Sequence, residues 1–161
     1  MIREMKAEDW PRVAAIYTQG LEHGKSAFNT VCPSYEAWDA DHTTDCRYVY
    51  EEDGIVAGWI ATRLVSNRPV YSGVVEVSVY IDDAYQGKGI GTKLLQKVCI
   101  ESEKAGYWCL YSSIFSINKA SIALHRKCGF RESGYREKLA KDRFGNWMDT
   151  TLMERRSKVI L

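Results

Sequence analysis

Apolar and polar residues alternate along this chain with two different periods, and the period predicts each element. Residues 8–23 repeat apolar side chains every three or four positions, which indicates an amphipathic helix. Asp9 is a plausible N-cap for that helix, and Pro11 suits its first turn. A second short helix is predicted for residues 35–42, with Ser34 as its N-cap.

Strand-like runs open the chain and fill its middle. Residues 1–5 can form a short strand, and residues 47–65 have the pattern of a hairpin that turns at residues 52–54. Residues 70–81 predict a long strand. Side chains in a strand point alternately to its two faces, so the valines there share one face while Glu76 lies on the other, with Ser78 and Tyr80.

The second half alternates helix and strand before a final hairpin. Residues 90–104 predict a helix, residues 108–115 a strand, and residues 118–130 a helix that Gly129 ends. Residues 134–155 predict a closing hairpin. The element order is therefore β-α-α-β-β-β-α-β-α-β-β, which indicates an α/β fold built on one mixed sheet.

The bulk composition narrows the class of protein without naming a function. A length of 161 residues suits a single domain spanning residues 1–161. The net charge of +1 argues against a nucleic-acid-binding protein, and no run of about 20 apolar residues suggests a membrane span. Five cysteines without a C-x-x-C pair favour neither a zinc site nor a disulfide framework, and they fit the reducing cytoplasm.

A glycine-rich loop, Gln86–Gly91, stands between the long strand and the helix that follows. Its spacing fits neither the Walker A loop nor the G-x-G-x-x-G dinucleotide fingerprint. Glycines that allow a close backbone approach, at the start of a helix with unpaired amides, nevertheless favour a phosphate ligand. A tight turn in which glycine meets only packing needs remains the alternative.

The loop and a later segment together resemble one family. Gln86–Gly91 is similar to the [QR]-x-x-G-x-[GA] signature of GCN5-related N-acetyltransferases (GNAT), and Asn118–Phe130 resembles that family's N-x-x-[AS]…[HY]-x-x-x-G-F segment. The resemblance implies the acyl-CoA N-acyltransferase fold, with acetyl-CoA as cosubstrate and no metal. The residues implied to hold acetyl-CoA are Val79, Tyr80, Ile81, Gln86, Gly87, Lys88, Gly89, Ile90, Gly91, Thr92, Asn118 and Ser121.

A closer resemblance covers nearly the whole chain. The strand V-V-E-V-S-V-Y-I, His125 and the ending F-G-N-W-M-D are similar to the phosphinothricin acetyltransferase branch. That branch acetylates primary amines of small amino-acid-like molecules, including phosphinothricin, methionine sulfoximine and methionine sulfone. The resemblance implies such an amine substrate, direct attack on the thioester in a ternary complex, and a homodimer.

The same resemblance suggests catalytic roles. It implies that Glu76 acts as general base, although an acidic residue on a strand is otherwise most often solvent-exposed. His125 is a candidate proton donor to the departing thiolate, with a packed histidine as the alternative; Tyr80 and Tyr111 are reserve donors. The amide near Val79 would stabilise the oxyanion, and a bulge would be a reasonable way to re-aim that strand.

Substrate selection is expected from the first two helices and the segment before the long strand. Phe28, Tyr35 and Trp38 would form apolar walls, and Arg68 could bind a substrate carboxylate or could be a solvated turn residue. Members that handle methionine sulfoximine tend to carry W-R-P-F here, whereas in this chain Val65-Ser66 occupies the Trp-Arg positions.

Three further possibilities remain open. Trp147 and Asp149 match a W-x-D ending that could shape the pocket across a dimer interface or could be hairpin residues. The fold could serve as an acyl-CoA-binding sensor without catalysis, which the presence of Glu76 and His125 argues against. It could instead acetylate a protein or peptide, which the near-neutral charge disfavours only weakly.

Overall fold

The computed structural model describes residues 1–161, and its helices and strands follow the predicted order. Their bounds are β1 Ile2–Glu4, α1 Trp10–His23, α2 Tyr35–Asp41, β2 Tyr48–Glu52, β3 Ile55–Leu64, β4 Val74–Ile81, α3 Ile90–Lys104, β5 Cys109–Phe115, α4 Lys119–Lys127, β6 Arg131–Lys141 and β7 Trp147–Arg156. The mixed α/β prediction is confirmed.

The seven strands form one sheet in the order β1-β2-β3-β4-β5-β7-β6. Only β4 and β5 run parallel, and every other neighbouring pair is antiparallel. One apolar cluster joins the sheet to α3 and α4, and Ile90, Leu94 and Val98 on one face of α3 are buried in it. A second cluster on the opposite face joins the sheet to α1 and α2.

Local chemistry explains most element ends. The Ser34 hydroxyl accepts a hydrogen bond from the Ala37 amide (3.2 Å), as predicted for the N-cap of α2. Asp53 and Gly54 both have positive φ (52° and 77°), which suits the tight turn between β2 and β3. Gly129 also has a positive φ (91°), so it terminates the last helix as predicted.

Three local details differ from what the sequence suggested. The strand predicted from residue 70 begins at Val74, because Pro69–Tyr71 forms a 3-10 turn. Asp9 does precede α1, but its carboxylate accepts hydrogen bonds from Arg3 and the Lys6 amide and does not cap that helix. No bulge interrupts β4, whose pairing with β3 is regular from Val75 to Ile81.

Candidate active site

A cleft opens in the sheet where its two parallel strands separate. The β4–β5 ladder covers only Val74–Glu76 against Cys109–Tyr111, although both strands continue beyond it. The diverging halves line a cleft of about 830 Å³ together with residues of α1, α2, α4 and the loop between α1 and α2. The separation of the two strands therefore positions the cleft.

The main chain of β4 faces this cleft. Hydrogen-bonded pairs alternate along an antiparallel ladder, and the Asp82 amide donates to the Ala57 carbonyl at its end. In the same register, Tyr80 and Ser78 bond to β3, so the amides and carbonyls of Val77 and Val79 point toward β5. The β4–β5 ladder has no rung beyond Glu76, so the Val79 amide faces the cleft past the last paired position.

Glu76 lies half-buried where the two strands begin to separate. Arg63, its partner across the β3–β4 ladder, places Nε 3.6 Å from Glu76 Oε1. Burial raises the pKa of Glu76 above its ordinary value; the Arg63 charge opposes that rise and the Asp41 carboxylate reinforces it. A carboxylate with a raised pKa in a cleft is suited to accept a proton near neutral pH.

His125 lies beneath the cleft, with only 2% of its surface exposed. Its Nδ1 is 2.7 Å from the Ser121 carbonyl, which can only accept, so Nδ1 carries the proton. Its Nε2 therefore accepts from the Ser112 hydroxyl, at 2.9 Å. Burial lowers the pKa of His125, so the ring is neutral and its one N–H is already bonded. This arrangement favours a structural role over proton donation.

The glycine-rich loop leads into α3 from the end of β4. Gly87 and Gly89 both have φ of 77°, a left-handed conformation that favours glycine. Gly89 is the N-cap of α3 and supplies no side-chain cap, so the first amides of the helix lack a partner. Lys88 lies within the loop, between the two glycines, with its Nζ 3.4 Å from Glu52 Oε2.

The start of α4 closes the other end of the cleft. Asn118 is its N-cap, and its side-chain oxygen accepts from the Ser121 amide at 3.2 Å. Both residues line the cleft. A glycine loop at one helix start and a capped helix at the other thus flank the unpaired part of β4.

Comparison with known proteins identifies this arrangement. Residues 3–130 match the sequence profile of the acetyltransferase (GNAT) family. The chain belongs to the GNAT family. It is therefore an acetyltransferase, and the acetyl donor of GNAT enzymes is acetyl-CoA.

Three similar GNAT proteins bear on substrate and donor. L-methionine sulfoximine/L-methionine sulfone acetyltransferase of Pseudomonas aeruginosa is 31% identical over 159 residues, which is 95% of this chain and 92% of that protein. The AcCoA complex of a phosphinothricin acetyltransferase from Sinorhizobium meliloti superimposes with a TM-score of 0.88 at 28% identity, covering 97% of this chain and 87% of that one. Ribosomal-protein-alanine N-acetyltransferase from Brucella melitensis gives 0.90 at 29% identity, covering 98% and 99%.

The structure brings the predicted residues of the strands and of α4 together in the cleft, but not those of the donor loop. Glu76, Val79, Tyr80, Tyr111, Asn118, Ser121 and His125 all line the cleft, as do Phe28 and Trp38. None of the predicted donor-loop residues from Gln86 to Thr92 lines the cleft; they lie between the end of β4 and the first turn of α3. Ile81 ends β4, and its carbonyl accepts from the Gln86 side chain at 3.0 Å.

Two predicted substrate residues do not reach the cleft. Tyr35 begins α2 and packs against Trp10, with ring centroids 5.5 Å apart. Arg68 lies in the exposed turn before β4, with its guanidinium 5.5 Å from the centroid of the Tyr71 ring. Both were expected at the cleft because they lie in segments near the substrate side. Which way α2 and that turn face depends on tertiary packing, which the sequence does not show.

Asp149 serves the hairpin that it belongs to. The Tyr135 hydroxyl and the Lys138 amide both donate to its carboxylate. These bonds hold a bulge in β6, where the register shifts between Arg136 and Ala140, and the bulged segment carries Leu139 to the cleft. Trp147 is exposed at the start of β7, outside the cleft.

Three cleft residues escaped sequence reasoning. Arg63 is visible as a site residue only once the β3–β4 register pairs it with Glu76. Asp41 ends α2 and reaches Arg63, and Ser112 holds His125 from β5. No local pattern marks these residues, because each acts through a partner on another element.

Two global features complete the description. No cluster of three or more histidine, cysteine or acidic side chains is arranged to hold a metal ion. None of the helices combines the length and apolar character needed to cross a membrane.

Proposed function

We propose that this enzyme transfers the acetyl group of acetyl-CoA to the primary amine of a small amino-acid-like substrate, of the phosphinothricin, methionine sulfoximine or methionine sulfone type. Transfer is by direct attack within a ternary complex. The observation that carries the proposal is Glu76, a half-buried carboxylate with a raised pKa in the cleft of a GNAT fold. The similarity to the methionine sulfone and phosphinothricin enzymes supports the choice of substrate.

Glu76 is the general base of this proposal. Amino-acid amines have pKa values near 8 and are mostly protonated at neutral pH, so attack on the thioester requires removal of a proton. Glu76 accepts that proton directly or through water, and the amide of Val79 stabilises the oxyanion of the tetrahedral intermediate. Tyr111, the partner of Glu76 on β5, and Tyr80 are the available hydroxyl donors to the departing thiolate.

The acetyl donor lies along the free edge of β4. The amides at the start of α3 hold its pyrophosphate, helped by the charge of Lys88, and the main chain of Val79–Ile81 holds its pantetheine arm. The left-handed glycines and the uncapped helix start support this placement. Asn118 and Ser121 contact the arm from α4.

The active form is a homodimer in the cytoplasm. The β6–β7 hairpin exposes four large apolar side chains that a second copy would cover, namely Tyr135, Leu139, Phe144 and Trp147. The five free thiols fit a reducing compartment. Sedimentation at micromolar concentration tests the assembly, since a monomer there contradicts it.

A thiol-release assay with acetyl-CoA and a panel of amines tests the proposed function. The panel contains methionine sulfone, methionine sulfoximine, phosphinothricin, a polyamine and a peptide with an N-terminal alanine. The proposal predicts the highest kcat/KM among the three amino acids. Tight CoA binding without turnover of any amine indicates a sensor and contradicts the proposal.

The peptide covers a second candidate function. The structural similarity to a ribosomal-protein-alanine N-acetyltransferase favours a peptide N-terminus as the acceptor. A kcat/KM for the peptide above that for every amino acid would replace the proposed substrate class by that one.

A further inference from the structure

Arg63 occupies a specific position in the cleft. It lies on β3 directly opposite Glu76, with its guanidinium Nε 3.6 Å from the carboxylate that we propose as the base. Its Nη1 donates to Asp41 Oδ2 at 3.2 Å. The guanidinium is thus placed between two carboxylates at the side of the cleft formed by α2 and β4.

Most of the donors of Arg63 are unused. A guanidinium has five N–H groups, and the bond to Asp41 is the only hydrogen bond that the Arg63 guanidinium makes. Its side chain is 45% exposed. The remaining N–H groups are therefore available to an oxygen ligand in the cleft.

No other positive group competes for such a ligand. Arg63 is the only arginine or lysine that lines the cleft. The two histidines of the lining, His42 and His125, are neutral because burial lowers the pKa of each. A negatively charged part of a substrate has Arg63 as its one cationic partner.

The spacing of Arg63 and Glu76 matches an α-amino acid. The amine and the carboxylate of such a molecule are attached to the same carbon atom, so the groups that bind them must be neighbours. Arg63 and Glu76 are neighbours across one ladder position, and Asp41 adds a second acceptor for the ammonium. A plain amine, an ester or a peptide N-terminus lacks the adjacent carboxylate that would engage the arginine.

We propose that Arg63 binds the α-carboxylate of the substrate and thereby selects free α-amino acids over amines, esters and peptides that lack this group. This inference rests on the proposed function, and it assigns to Arg63 the role that the sequence suggested for Arg68. The planar guanidinium suits the carboxylate because two of its N–H groups can donate in parallel to the two oxygens.

The test compares matched substrates in matched variants. The panel's best amino acid is assayed beside its methyl ester and the amine that remains when its carboxylate is removed. Each is measured with wild type, R63Q, R63K, R68Q and R131Q. Arg131 is an exposed arginine of β6 paired with Glu154 and serves as the control.

The measured quantity is the ratio of kcat/KM for the amino acid to kcat/KM for the amine. Removing Arg63 also changes the charge beside Glu76, and the ratio cancels that change because the same base serves both substrates. A charged hydrogen-bonded pair is lost in R63Q, so we expect the ratio to fall about 10- to 100-fold. R63K recovers only part of it, since lysine cannot form the parallel pair, and R131Q leaves it unchanged.

Several outcomes overturn the inference. It is wrong if R63Q keeps the wild-type ratio, if R68Q loses the ratio in its place, or if wild type acetylates the amine as well as the amino acid. Turnover of the amine by R63Q shows that this variant is folded. Failure of wild type to acetylate any amine contradicts the proposed function itself, and the inference falls with it.

Discussion

The two walls of the cleft differ in how they hold their titratable groups. On the β4 wall, Glu76 is half-buried, touches the cleft and has a charged neighbour in Arg63 at 3.6 Å. On the wall formed by β5 and α4, His125 is 2% exposed and both ring nitrogens are bonded within the protein. The same family resemblance had suggested a catalytic role for both residues.

The difference shows that a motif can place a residue at a site without assigning its task. Glu76 has a raised pKa and unused acceptor capacity, so it can exchange protons with a ligand. His125 has its proton committed to the Ser121 carbonyl and its lone pair to the Ser112 hydroxyl. It therefore links α4 to β5, and neither of its ring nitrogens is available to a ligand.

Replacement of Glu76 should have the largest effect on catalysis. If it left kcat unchanged, the contrast between Glu76 and His125 would be wrong. We expect E76Q to lower kcat by about 10²- to 10⁴-fold, the usual contribution of a positioned base. The affinity for CoA should be unchanged, because glutamine preserves the shape of the site. Steady-state thiol release and CoA titration measure the two effects.

The exposed Glu22 of α1 provides the matched control for that variant. E22Q should retain wild-type kcat and CoA affinity. A wild-type kcat in E76Q would remove Glu76 from the role of base.

Replacement of His125 should affect folding more than catalysis. H125A leaves a buried cavity and an unpartnered Ser112 hydroxyl, so we expect the free energy of unfolding to fall by about 2–4 kcal/mol. Denaturant unfolding measures this loss. At a temperature where the variant is folded, its kcat should stay within an order of magnitude of wild type.

The exposed His23 at the end of α1 is the control, since its contact with the Asp83 carboxylate lies on the surface. H23A should unfold at nearly the wild-type denaturant concentration. If H125A is as stable as wild type but its kcat falls as far as that of E76Q, His125 acts in catalysis as Glu76 does. That result would contradict the structural role of His125.

Replacement of a glycine in the loop before α3 should have the smallest effect on the protein, and it tests whether this loop holds the acetyl donor. Alanine at Gly89 meets no atom within 4 Å, so its cost is the left-handed backbone alone, about 1–2 kcal/mol of stability. Gly54 has the same φ of 77° and equally open surroundings, but it lies in the β2–β3 turn. G89A and G54A should therefore lose similar stability in denaturant unfolding.

Only G89A should weaken CoA binding in a titration, because its substitution alone reshapes the loop before α3. Equal CoA affinity in the two variants would contradict a role for this loop in holding the donor.

The element order could be predicted from the sequence because its signals are local. The apolar stripe of α3, the cap at Ser34 and the Asp53-Gly54 turn each lie within a few residues of the structure that they specify. The donor-loop residues and Glu76 were accessible for a related reason. Their motifs are contiguous, and alternation along a strand places Glu76 opposite the buried valines.

The working details of the site depend on contacts between distant segments. Arg63 meets Glu76 only through the strand register, and His125 receives its bond from a serine 13 positions earlier on β5. Arg68 was a candidate because it lies in the segment before the long strand, where substrate contacts were expected, yet its turn lies outside the cleft. Neither the register between two strands nor the orientation of a turn can be predicted from a local sequence pattern.

The dependence of kcat on pH, measured in parallel for wild type, E76Q and H125A, tests most directly whether Glu76 is the base. In wild type, kcat should fall as the pH drops through the pKa of Glu76, which lies above the ordinary glutamate value of 4.5 because of burial. H125A should keep this acidic limb. E76Q should lose it and regain part of its rate at high pH, where the amine deprotonates without help. An acidic limb that persists in E76Q and disappears in H125A would contradict the account.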